Sequence, residues 1–123
     1  MPMTPKTLLY VVTDGPERPM RALTALMLAT TAASTGNDAA VYFHLDGVKS
    51  VTEENVRRTK LEGFPGLQEI VEQALSLGVR LYSSEESLMI YRLSSTDMMR
   101  GVEVVGSTKL NDLMVASDAI LSL

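Results

Sequence analysis

The chain holds one histidine and no cysteine, so any nucleophile or base it owns comes from a short list of residues. Ser83 and Ser84 close the run Gly-Val-Arg-Leu-Tyr and stand directly before Glu85 and Glu86. His44 closes a second apolar run, with Asp46 and Gly47 just behind it. Asp14 and Gly15 follow a third. In an open α/β fold, the ends of strands are where ligands and nucleophiles gather. Asp14, Gly15, His44, Asp46, Ser83 and Ser84 are therefore the candidate site residues.

Three chemistries compete for them. The first is nucleophilic. The ends of neighbouring strands lie ~5 Å apart, which brings Ser84 within reach of His44, with Asp46 near the imidazole as in a hydrolase triad. Against it, Asp46 is only two residues from His44, and no Gly-x-Ser-x-Gly elbow occurs. The second is anion binding, through a hydroxyl and free N–H groups at a helix start; Glu85 and Glu86 oppose it by occupying the positive end. The third is structural. Ser83-Ser84-Glu85-Glu86 fits a capping box with Ser83 as N-cap and Glu86 three residues on, a device worth ~1 kcal/mol. Asp14 and Pro16 likewise fit a helix-entry turn, with Asp14 as cap. His44 also fits a strand-end histidine with its ring half solvated or at an interface.

Several functions lack their residues. No glycine-rich phosphate loop is present. With one histidine and no thiolate, neither a transition metal nor a cofactor is expected. The formal net charge is −4 and the eleven basic residues are scattered, which argues against a nucleic-acid or anionic-membrane partner. The apolar run at residues 8–12 is too short for a signal-peptide core. The uncharged stretch 22–37 falls short of the ~20 apolar residues that span a bilayer. A cytoplasmic location is expected. At 123 residues one domain, 1–123, is expected.

The elements that must position these residues alternate. Residues 7–13 are an unbroken apolar run, the pattern of a strand buried on both faces. Residues 18–34 read as an alanine-rich helix that is apolar almost all round, so one side meets the sheet and the other is expected to meet another subunit. Strands are expected at 38–45, 79–82, 102–105 and 119–123. Helices are expected at 52–60 with Thr52 as cap, 67–77, 85–92 and 107–117, with a further turn at 94–99. Lys49 to Lys60 is expected to be solvated. Met89, Met98 and Met99 are assigned to core filling, or to the apolar rim of a pocket or a subunit contact. This order implies a three-layer α/β/α domain on a mostly parallel five-stranded sheet.

In that order the chain resembles the DsrE/DsrF-like proteins of sulfur relay, which include the Tus-type sulfur-transfer subunits. Thr13-Asp14-Gly15-Pro16-Glu17 before an alanine-rich helix is similar to the family's opening. Val41-Tyr42-Phe43-His44-Leu45-Asp46-Gly47-Val48, Gly63-Phe64-Pro65-Gly66-Leu67, Gly78-Val79-Arg80-Leu81-Tyr82 and Gly101-Val102-Glu103-Val104-Val105-Gly106 resemble later pieces. The resemblance implies a DsrE-like fold and assembly into dimers, trimers or hexamers, from one kind of subunit or from related ones. It also implies an acceptor cysteine after the third strand, at the position of Ser84 (or Ser83). A hydroxyl cannot hold a sulfane sulfur, and serine is a weak nucleophile without a base. The resemblance therefore points to a scaffold or partner subunit. A cysteine restored at position 84 is expected to be open to a persulfide donor.

Overall fold

The computed structural model describes residues 4–123. One sheet organises the chain: β1 (Thr7–Val12), β2 (Asp38–Phe43), β3 (Arg80–Ser84), β4 (Val102–Val105) and β5 (Ala119–Ser122). All pairings are parallel, in the order β4-β3-β2-β1-β5. The expected α/β sheet is therefore present, and it is parallel throughout.

Its two faces are covered unequally. On one face Tyr10, Val12, Val41, Phe43 and Leu81 pack under α1 (Pro19–Ser34) and α3 (Leu67–Ser76). On the other, Leu9, Ala40, Tyr42 and Tyr82 pack under a single helix, α5 (Ser107–Ala116), through Leu113 and Leu110. Tyr42 and Phe43 are adjacent and point to opposite faces, yet both are fully buried. That is the signature of a central strand in a three-layer domain. Among the described residues, no helix is long and apolar enough to cross a membrane.

The short elements depart from the sequence expectations in instructive ways. β2 ends at Phe43 rather than Leu45, because Leu45 takes φ +53° and opens a 3-10 helix over Leu45–Val51. Thr52 caps α2 (Glu53–Arg58) as expected, accepting from the Asn55 N–H at 3.2 Å. The stretch from Lys49 to Lys60 is not simply solvated: Ser50, Val51, Asn55 and Val56 are buried. Asp14 does not cap α1. That helix starts later, on Pro19, with Arg18 at the cap position and no side-chain cap. Met98 and Met99 fill core, whereas Met89 is exposed. On α5 only Leu113 is fully inward, and Met114 is exposed.

Candidate functional site

Three loops converge at the C-terminal ends of β1, β2 and β3. The first two are locked by close backbone contact. The His44 N–H donates to the Val12 carbonyl at 2.9 Å. A Cβ on Gly47 would lie 2.1 Å from the same oxygen, so only glycine lets the 3-10 helix settle there. A Cβ on Gly15 would meet the Asp46 carbonyl at 3.1 Å, which brings the Asp14–Gly15 loop against the Asp46 loop. The site thus lies beside the point where β2 and β5 depart on opposite sides of β1, the switch point of an open sheet.

The serine pair divides its roles. β3 runs on through both residues, with Ser83 paired to Val104 and Ser84 to Val105. The helix that follows, α4 (Glu85–Ile90), is capped by Ser84 and not by Ser83. Ser84 Oγ accepts from the Ser87 N–H at 3.1 Å and from the Ser87 hydroxyl at 3.0 Å. Ser83 Oγ is buried without a partner. Both serines are 0% exposed. Glu86 does not close a capping box on its own helix. Its carboxylate accepts from the Ser107 N–H at 3.1 Å and the Ser107 hydroxyl at 2.6 Å. It therefore serves the start of α5, whose own cap residue, Gly106, offers no side chain. The same bonds from Ser107 hold the Glu86 carboxyl below the usual carboxylate range.

His44 meets Ser87 rather than Ser84: Ser87 Oγ lies 3.4 Å from His44 Nδ1. The Leu45 N–H also donates to Ser87 Oγ, at 2.8 Å. Ser87 gives its one proton to Ser84, so the arrangement casts His44 Nδ1 as a donor. A histidine that donates toward the hydroxyls is not placed to deprotonate them. Nor does Asp46 orient the imidazole. Its carboxylate takes the Tyr91 hydroxyl and lies 3.8 Å from Lys49 Nζ. Lys49 in turn sits 3.9 Å from the centroid of the Tyr91 ring. The triad chemistry available to Ser84, His44 and Asp46 on paper is not assembled. Asp14 stands apart in ion pairs with Arg21 (3.6 Å) and Arg18 (3.9 Å).

Ser87, Lys49 and Tyr91 are site residues that the sequence does not single out. Ser87 sits three residues after Ser84, the spacing of a capped turn, and that is the one local signal it carries. Lys49 and Tyr91 are joined only by the fold. They border an open cleft of about 440 Å³ that also includes Thr52, Asn55, Arg58 and Asp97. Among the described residues no cluster of His, Cys, Asp and Glu is arranged to hold a metal.

The Asp46 carboxylate, accepting the phenol proton, holds Tyr91 above the ordinary tyrosine value, with burial and the charges of Asp46 and Glu17 adding to it. The folded state thus favours the neutral phenol. That preference is fully present below the unfolded tyrosine value and is lost as pH rises through the folded one. Asp46→Asn should lower the Tyr91 midpoint. NMR titration of labelled tyrosine rings checks this, and an unmoved midpoint would count against the Asp46–Tyr91 bond.

These features define a small, fully parallel α/β domain whose site is built on strand-end loops. A family model, the DsrE/DsrF-like family, matches residues 6–123, and the chain belongs to that family. Solved structures agree on the fold. The YchN protein from E. coli superposes with a TM-score of 0.79 over 96% of this chain and 99% of its own, at 17% identity. A protein of unknown function from Methanobacterium thermoautotrophicum gives 0.71 over 98% of this chain and 100% of its own, at 15% identity. An uncharacterized protein of Methanocaldococcus jannaschii is 27% identical over 107 residues, which cover 86% of this chain and 39% of that protein. The chain thus spans about two fifths of the length of this curated relative.

Proposed function

We propose that the chain is a cysteine-free partner subunit of a DsrE-like oligomer linked to cytoplasmic sulfur trafficking. The observation that carries the reading is the state of Ser83 and Ser84, which occupy the place the family resemblance assigns to an acceptor cysteine. Both are 0% exposed, and the Ser84 hydroxyl is spent on capping α4. The site therefore lacks the sulfur-bearing group and also the access such a group requires. An assembly role is supported by α1. Its inward face is alanine and leucine, while Met20, Met27 and Leu28 are exposed along its outer side. Large apolar side chains in a row on one helix are the usual mark of a covered surface.

The burial of Ser84 replaces the expectation that a cysteine there would be open. In Ser84→Cys the thiol should react with a disulfide reagent far more slowly in the native protein than after unfolding in urea. A native rate equal to the unfolded rate would show that the strand end is open and would sink the partner-subunit reading at its root. Sedimentation of the unmodified chain tests the assembly half: a stable oligomer is expected, and a monomer at high micromolar concentration contradicts it.

A second reading rests on the cleft beside Lys49 and Tyr91. Its volume of about 440 Å³ falls within the range of small-molecule sites, and its lining carries both signs, Lys49 and Arg58 beside Glu53, Glu54 and Asp97. In this reading the domain binds a small molecule that carries both charges, a zwitterion, in that cleft. Chemical-shift changes confined to Lys49, Tyr91, Arg58 and their neighbours on titrating free amino acids would favour it; their absence would remove it.

A further inference from the structure

The two edges of the sheet are built differently. β4 reads Val-Glu-Val-Val, and its one exposed residue is the charged Glu103. A charge on an edge strand discourages pairing with another chain. β5 reads Ala-Ile-Leu-Ser, with no charge, no proline and every residue exposed. Register places Ile120 beside Leu9 on the α5 face and Leu121 beside Tyr10 on the α1 face. They are 46% and 43% exposed. A strand of a parallel sheet is normally covered on both faces; β5 is covered on neither. Just before it, Met114 and Val115 at the end of α5 add exposed apolar surface.

The backbone says what kind of partner fits. Leu123 donates its N–H to Val11 O at 2.7 Å and accepts from the Thr13 N–H at 3.0 Å. Strand residues turn their hydrogen-bonding groups alternately to one neighbour and the other. Leu121 and Leu123 thus face β1, while Ile120 and Ser122 turn their N–H and C=O groups outward. An extended strand is the protein partner that matches such a row.

The geometry points to β5 as a self-pairing edge, with a second copy of this chain as its occupant, the two β5 strands antiparallel about a twofold axis normal to the sheet. This rests on the oligomer reading above and supplies one of its contacts. Such an axis sets even-numbered residues opposite even-numbered ones. With the axis at Ile120, Ile120 meets its counterpart on the α5 face, and Leu121 meets Ala119 of the partner subunit on the other, apolar against apolar on both. Like charges do not oppose it. The only charge in residues 113–123 is Asp118, and its carboxylate is already held by the Thr7 N–H at 2.8 Å. The isologous arrangement also satisfies both edges at once and closes. Pairing β5 with β4 of another copy would leave edges open and bring Glu103 into the contact.

Amide exchange and light scattering on the intact chain test this. In the native protein the Ile120 and Ser122 amides should exchange about a hundredfold more slowly than in a free strand edge. Ile120→Lys sets two cations face to face across the axis and should halve the particle mass. Ile120→Pro keeps the bonds to β1, removes an outward donor and should do the same. An oligomer whose Ile120 and Ser122 amides exchange freely, and whose mass is unchanged by Ile120→Lys, overturns the β5 contact but leaves the partner-subunit reading standing. A monomeric native protein overturns both. If the variants fail to fold, amide exchange in the unmodified chain still decides.

Discussion

Gly47→Ala should destabilise the fold by more than ~3 kcal/mol, beyond ordinary overpacking. The reason is contact with backbone. The added Cβ would lie 2.1 Å from Val12 O and 2.8 Å from Val12 C, and neither atom can swing aside as a side chain can. Both sides of the contact are tied down: Val12 O accepts from His44 N at 2.9 Å, and Gly47 N donates to His44 O at 2.9 Å. Relief requires lifting the 3-10 helix off the end of β1, and that helix carries Asp46, Lys49 and the buried Val48 and Val51. Gly63→Ala is the control. Gly63 has φ +84° with nothing within 4 Å of a Cβ, so it should show only the left-handed penalty of ~1–2 kcal/mol. Urea denaturation of the two variants separates the effects. Equal costs would mean the Gly47 contact relaxes freely.

The serine pair supplies the second large effect, and it falls on only one of two adjacent residues. Ser84→Ala should cost about 2 kcal/mol, because it removes the cap of α4 and strands two donors of Ser87 in a buried setting. Ser83→Ala should be neutral or stabilising. Its hydroxyl is buried without a partner, so removing it removes a desolvation cost. The urea midpoint of Ser84→Ala should therefore fall well below that of the unmodified chain, and that of Ser83→Ala should lie at or above it. Two equal losses would show that Ser83 has a partner and that the cap is shared.

The element order was readable from sequence because the central strands, buried on both faces, read as near-continuous apolar runs, and the remaining strands are short apolar segments set between turn residues. The ends of those elements were not. The capping box predicted at Ser83 is locally sound, but pairing with Val104 and Val105 carries β3 two residues further and hands the cap to Ser84. Glu86 has the right spacing for its own helix and is instead drawn to Ser107, twenty-one residues away. Residues 49–60 look solvated because their charges are visible in sequence, while the burial of Asn55 and Val56 depends on packing against the site and α3. The candidate residues lie on strand-end loops, as expected from their positions. Their partnerships, His44 with Ser87 and Asp46 and Lys49 with Tyr91, arise only when loops more than forty residues apart meet.

Native mass spectrometry after incubation with a persulfide donor tests the central claim most directly, since one spectrum reports both assembly and sulfur load. The expected result is an oligomer whose protomers keep the unmodified 13.4 kDa mass, with no added sulfur. A monomer, or protomers carrying bound sulfur, would contradict a cysteine-free partner subunit.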